Sequence, residues 1–363
     1  MSRRLFLCSL AAVLPVAAAL LFLLAGCERQ YSKLGRLDTD AAQDEAPRRQ
    51  QMALREYLEN SRHINRVAWP VLEANAPLCR SRAPRLGIWV TSAEDLPFAQ
   101  RAAFAELFGK DPRLLVVEVF PGGPADKAGI RSRDVILAVN GDPVRGGFDA
   151  ASLFHRLLEK HLTKSPDMTF RIERDGQPLT IQATAAMACG ESVFLYEDGE
   201  PNAFADGVNI FVTTGLIRFL DDDDELAGVI GHELAHNEMG HRNMKLANAK
   251  TAARLTQVPA AILGMCTGLN VTRMVYKKAL QSYSLDFEYE ADYVGLYFAA
   301  RAGYDVSKVP NTERRFAAMD PKMITIGSSH PPSAERFVAM EAALQEVQAK
   351  QAAGQPLEPN LKK

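Results

Sequence analysis

Five cysteines in 363 residues are too few for a disulfide-built scaffold, so an apolar core must supply most of the stability. The chain has no long basic run and a net charge of −2, so the electrostatic footprint of a nucleic-acid binder is missing. Long apolar runs are also scarce beyond the N-terminus: Val258 to Val271 is too short to span a bilayer, which excludes a polytopic membrane protein. Collagen and coiled coil are excluded by the same composition. What is present, 47% apolar and 24% charged residues, is ordinary for a folded chain of two or three domains.

The one long apolar run is Leu5 to Leu24, preceded by Ser2-Arg3-Arg4 and closed by Leu24-Ala25-Gly26-Cys27. A basic start, an apolar stretch and small residues before a junction are the parts of a secretory signal. An uncleaved membrane anchor is the alternative, but small-small-Cys resembles the bacterial lipobox, in which the cysteine is lipidated. Residues 1–26 are therefore expected to be a lipoprotein signal peptide and Cys27 the lipidation site. Glu28 follows, and not the aspartate that resembles an inner-membrane retention signal, so the expected address is the outer membrane, facing an oxidising periplasm. The polar stretch completing 27–50 reads as a flexible tether. From Gln51, Leu54, Leu58, Ile64, Val67, Ala68 and Val71 approximate helical spacing up to Pro70 and Pro77.

Leu86 to Ala186 has a β-rich texture. Strands are expected at Leu86–Val90, Leu114–Phe120 and Asp134–Val139, the last closed by Asn140-Gly141. Phe148 to His161 is an amphipathic helix, and Met168–Arg174 and Leu179–Thr184 bracket Asp175-Gly176 as a hairpin. The order Leu-Gly-Ile, Gly-Gly-Pro-Ala, Ala-Gly-Ile, Asp-Val-Ile-Leu and Val-Asn-Gly resembles the PDZ domains of HtrA-type periplasmic proteases. That resemblance implies a peptide-binding strand at Leu86, Gly87 and Ile88, with backbone N–H groups holding a terminal carboxylate.

Past Glu191 the pattern becomes mostly helical. Four aspartates, Asp221 to Asp224, lack the spaced ligands of a calcium loop and stand where carboxylates favour a helix start. The helix they open carries His232-Glu233-Leu234-Ala235-His236. Residues four apart share a helix face, so both imidazoles can reach one metal ion, with Glu233 beside them to take a proton from metal-bound water. A third ligand is needed. It is either His241 or a carboxylate further along, where Glu288 and Asp292 stand four apart on a second expected helix.

These stretches resemble the HtpX-like and CAAX-prenyl-protease-like metallopeptidases of the gluzincin group. Asn202-Ala203-Phe204-Ala205, the strand after it, Thr214-Gly215-Leu216, Asp224-Glu225-Leu226-Ala227, Glu288-x-x-x-Asp292 and His330-Pro331-Pro332 with Arg336 all follow that family's order. The resemblance implies one Zn²⁺ per chain held by His232, His236 and Glu288, with Glu233 as general base. It places Asp292 behind the ligands and has His330 and Arg336 line the active site. Substrate would lie along the strand marked by Asn202, Val208, Ile210 and Val212. The expected fold is α+β, a mainly helical zincin-type metallopeptidase domain with a small sheet and an inserted PDZ-like domain. The expected boundaries are 51–82 for the peptidase's N-terminal helix, 83–187 for the PDZ-like domain, 188–350 for the peptidase and 351–363 for a polar tail. Partners would be protein or peptide substrates, a PDZ-bound C-terminal segment, and a membrane through the lipid anchor only, with no nucleic acid. One rival is a PDZ-bearing adaptor with a closed, non-catalytic zinc site whose fourth ligand is His330. Another, a peptidoglycan hydrolase, lacks a carboxylate pair or wall-binding module.

Cys79 and Cys189 flank the PDZ-like segment. The ends of an inserted domain lie close together, so a disulfide between them is expected, leaving Cys266 as a buried thiol. His63, His155 and His161 on helices, and Trp69 and Trp89, are expected to be structural.

Overall fold

The computed structural model describes residues 39–251, 283–319, 330 and 333–361. The signal peptide, Cys27, Cys266 and the 258–271 run lie outside these residues. Among the described residues no helix is long and apolar enough to cross a membrane.

Helix α1 spans Thr39–Ala74. The tether expected over 27–50 is thus helical from Thr39. Its alanine, glutamine, glutamate and arginine are good helix formers, so the helix extends past its buried face, and residues 45–50 are exposed. Pro70 does not end α1 either. Burial of Ile64, Val67, Ala68, Trp69, Val71 and Leu72 outweighs the roughly 3 kcal/mol cost of an interior proline. The helix closes where the Asn75 amide donates to the carbonyls of Val71 and Phe298, each at 2.8 Å.

The chain then enters strand β1 (Arg82–Arg85), which pairs antiparallel with β8 (Ala186–Cys189) in a two-stranded ribbon. Between them lies the inserted unit. Its six-stranded antiparallel sheet runs β2 (Ile88–Thr91), β3 (Leu115–Val119), β4 (Val135–Val139), β6 (Asp167–Arg174) and β7 (Gln177–Thr184), with β5 (Asp142–Pro143) beside β4. Asp175 and Gly176 both take positive φ and close the β6–β7 hairpin, as a two-residue turn between right-twisted strands requires. Helix α4 (Ala150–Leu162) buries Phe154 and Leu158 on the sheet. Two further helices, α2 (Phe98–Phe108) and the single turn α3 (Pro124–Lys127), complete the unit. The first of them was not legible in the sequence, because it has almost no polar face to mark its period. Cys79 and Cys189 are joined by a disulfide where the ribbon begins, with Cα atoms 5.5 Å apart.

The remaining sheet has three strands in the order β10 (Ala203–Ala205), β11 (Ile210–Thr213), β9 (Val193–Tyr196). Strand β11 is therefore the middle strand. It is antiparallel to β10 and parallel to β9. After helix α5 (Thr214–Phe219) come α6 (Asp223–Glu238), a helical stretch at 241–251, α7 (Leu285–Arg301), α8 (Val309–Met319) and α9 (Ala334–Ala352). The expected polar tail is partly tied down: the Arg301 guanidinium donates to the Leu357 carbonyl and Asn360 bonds Tyr293 and Glu346.

Candidate active site

Helix α6 starts on the four aspartates, each with its own partner. Asp222 caps the helix, accepting from the N–H groups of Asp224 and Glu225. Asp223 meets Arg66 and His63, Asp224 meets Lys308, and Asp221 meets Arg315. From Glu225 to His236 the helix is buried on every side. Such burial needs close backbone approach, and Gly231 with Gly295 of α7 supplies it. A Cβ on Gly231 would lie 2.5 Å from the Gly295 carbonyl oxygen, and one on Gly295 2.7 Å from the His232 nitrogen. This crossing brings Glu288 and Asp292 of α7 against His232 and His236.

Four side chains converge: His232, His236, Glu288 and His330 offer ligand atoms within 4.8 Å of one another. The Nε2 atoms of His232 and His236 are 3.0 Å apart, and His330 Nδ1 is 3.2 Å from His232 Nε2 and from both Glu288 oxygens. Each histidine Nε2 is 3.6 Å from a Glu288 oxygen. Ligands of a tetrahedral zinc at the usual 2.0–2.1 Å stand about 3.3 Å apart, so this donor set fits such an ion. Three ring nitrogens turned inward on one carboxylate have no comparable reason to converge without a cation.

The opposite ring nitrogens explain the orientation. His232 Nδ1 is 3.0 Å from Asp292, which the Arg336 guanidinium grips with two bonds of 2.8 Å. His236 Nδ1 is 2.9 Å from His241, whose Nε2 meets Glu290 at 2.8 Å. His241 thus backs His236 and is not one of the four converging side chains. Burial disfavours a charged His232, but Asp292, Glu288 and Glu233 outweigh it and lift its pKa to about 9. Burial and the neighbouring His232, His330 and His241 hold His236 well below the imidazole range. Burial would raise the pKa of Glu288, yet His330, His232 and Arg336 bring it below the carboxylate range.

Glu233 is almost fully buried, and its Oε2 has no hydrogen-bond partner among the described residues. Its Oε1 is 3.4 Å from His330 Nε2. An unpaired carboxylate oxygen beside the ligand cluster suits a group that accepts a proton from water. Tyr283 stacks on His236 with ring centroids 4.1 Å apart; burial, Glu233 and Glu288 push its phenol up to about 12.

Two expectations need correction. Arg336, expected to line the active site, is 2% exposed and grips Asp292 and Glu288, so it meets the cluster from the buried side. The expected substrate strand through Val208, Ile210 and Val212 has no free edge. Ile210 and Val212 are fully buried in the middle strand, and Val208 lies in the exposed bend before it. A middle strand has its backbone groups paired on both sides. The outer edge next to α6 belongs to β10, and the N–H and carbonyl of Asn202, just before it, are engaged by Thr213. Leu86, Gly87 and Ile88 line a separate cavity. Glu290 and Tyr283 were missed because neither shares the i, i+4 spacing that marks His232 with His236 and Glu288 with Asp292. His241 was the available signal for Glu290.

Residues 168–344 match peptidase family M48, and residues 84–184 match the PDZ domain. The chain carries a family M48 peptidase domain and a PDZ domain. The two matches overlap at 168–184, where β6 and β7 belong to the PDZ sheet. Among curated relatives, the mitochondrial metalloendopeptidase OMA1 of Schizosaccharomyces pombe is 31% identical over 42% of this chain and 46% of its own length. The beta-barrel assembly-enhancing protease of Escherichia coli K12 is 27% identical over 38% of this chain and 31% of its own. Metalloprotease YcaL of the same organism is 31% identical over 40% of this chain and 58% of its own. The chain therefore spans between 31% and 58% of the length of these relatives. The M48 match, 168–344, includes the four converging side chains.

Proposed function

We propose that the protein is a zinc-dependent metalloendopeptidase of the bacterial envelope that hydrolyses misfolded or unassembled proteins. The observation that carries this is the convergence of His232, His236 and Glu288 beside a buried, half-unpaired Glu233. The relatives named as metalloendopeptidase and beta-barrel assembly-enhancing protease support it. One zinc ion, held by His232, His236 and Glu288, would polarise the scissile carbonyl and acidify the attacking water. Glu233 takes the proton from that water and returns it to the leaving amine. Tyr283, its phenol kept protonated, donates to the oxyanion. Asp292 and Arg336 hold His232 in place, and His241 with Glu290 holds His236. Substrate adds to the outer edge of β10, and the PDZ domain takes a peptide through Leu86, Gly87 and Ile88.

His330 is read as a plug. With its Nδ1 near both His232 and Glu288, it occupies the fourth position that a catalytic site keeps open. The lipid anchor on Cys27, the outer-membrane address and the periplasmic orientation rest on the N-terminal sequence alone. The same four-residue cluster also favours the second reading, a PDZ-bearing adaptor with a permanently closed metal site.

Zinc content and casein cleavage of the purified protein separate the two. The expected result is one zinc per chain and slow cleavage, faster in His330→Ala. Glu233→Gln should retain zinc and lose hydrolysis by about two to four orders of magnitude. Absence of cleavage from both the parent and zinc-loaded His330→Ala would sink the peptidase reading in favour of the adaptor.

A further inference from the structure

A cavity of about 670 Å³ lies between the PDZ and peptidase domains, within the range of ligand sites. One wall is the PDZ groove, with β2 as the edge strand of its sheet and Leu158 and Leu162 of α4 opposite. The other wall comes from the peptidase, with Trp69 of α1 and Phe194 of β9, itself an edge strand. Trp69 stands against the PDZ turn at Phe120 and Gly123, beside Gly87. Its Cε2 is 3.5 Å from where a Cβ on Gly123 would sit, and Gly87 Cα is 3.6 Å from that same point. Trp69 is 3% exposed and packs in the peptidase core cluster. Its ring forms part of the apolar wall of the cavity.

We infer that the PDZ groove and the peptidase domain form one composite site for the C-terminal segment of a protein, with bulky apolar last residues, and that Trp69 and Phe194 are part of it. The ligand chemistry follows from the walls. Aromatic and leucine side chains take apolar groups, and an extended backbone adds to β2. Arg82 and Arg85 against the single acid Glu159 favour the terminal carboxylate. This chain's own segment 355–360 is not the occupant, since it is bound to α7 and α9 through Arg301, Lys350 and Asn360.

The inference rests on the PDZ reading and not on catalysis, so its test uses full-length Glu233→Gln protein. The probe is a fluorescein-labelled decapeptide ending in Tyr-Val-Tyr-Phe, prepared as free acid and as C-terminal amide, with binding read by anisotropy. The acid should bind, and the amide at least tenfold more weakly. Trp69→Phe, which keeps an aromatic side chain and shortens this wall of the cavity, should weaken the acid about fivefold or more. Phe194→Ser, at a half-exposed position that folding tolerates, should weaken it similarly. Unchanged affinity in both variants would assign the site to the PDZ domain alone and overturn the inference, as would no binding of either peptide. Equal affinity for acid and amide would overturn the carboxylate assignment. Binding that depends on Trp69 in a protein whose parent cleaves no casein would leave the inference standing and remove only the peptidase reading.

Discussion

His232 and His236 turn their Nε2 atoms toward each other because the other nitrogen of each ring is already engaged. Asp292 holds one and His241 the other, and each of these is held in turn, by Arg336 and by Glu290. The two supports differ in charge. Asp292 delivers a carboxylate to its histidine, whereas His241 delivers an imidazole backed by a carboxylate. His241→Ala should leave His236 free to rotate and lower zinc affinity about 10–100-fold. Zinc release to a chromogenic chelator measures it, and an unchanged dissociation constant would remove His241 from the support of the site.

Helices α6 and α7 meet at Gly231 and Gly295, and the site exists because they meet there. The clash of a new Cβ at Gly295 is with the His232 backbone, which cannot rotate away as a side chain would. Gly295→Ala should therefore push α7 outward, carrying Glu288 and Asp292 away from the histidines. The expected cost is about 1–3 kcal/mol of stability together with a fall in zinc affinity. Thermal unfolding and chelator competition on the same sample check both. A stable variant with normal zinc affinity would mean that the crossing has room to spare. Strand β11 teaches the converse about elements. Its residues alternate as a strand should, but its place in the middle of the sheet removed it as a docking edge.

At the scale of the molecule, α1 is shared. Leu54 and Leu58 pack in one cluster with Leu115, Val117 and Val135 of the PDZ sheet, while Ile64 to Leu72 join the peptidase core. Glu118 on β3 is buried in this region. Burial raises its pKa to about 7, and Asn65 and Arg62 of α1 oppose the shift only in part. The folded pKa lies above the unfolded one, so the contribution is fully present below about pH 4.5 and is lost as pH rises through about 7. Glu118→Gln should remove that loss. Between pH 5 and 8.5 the parent should lose on the order of 3 kcal/mol relative to the variant. Urea unfolding at both pH values tests this, and parallel curves would show that Glu118 does not titrate in that range. The disulfide acts at the same scale by closing the whole insertion, 110 residues apart in sequence. Replacing Cys79 and Cys189 together with serine should cost about 2–5 kcal/mol. A reductant should lower the melting temperature of the parent and leave that of the variant unmoved.

Local pattern was enough to pair His232 with His236 on one helix face, and for the helix start at Asp222, the Asp175-Gly176 hairpin and the texture change at the PDZ domain. Each depends on residues within about ten positions of one another, where helical and strand periods are legible. Glu288 came from family resemblance, because nothing in its own neighbourhood separates it from Glu290. Tertiary structure alone decided which carboxylate faces the histidines, that Arg336 is buried, which strand keeps a free edge, and that Trp69 reaches the PDZ loop. Those outcomes depend on how α6 crosses α7 and on how strands separated in sequence are ordered. Periodicity tells which face of an element is apolar, but not which neighbour will cover it.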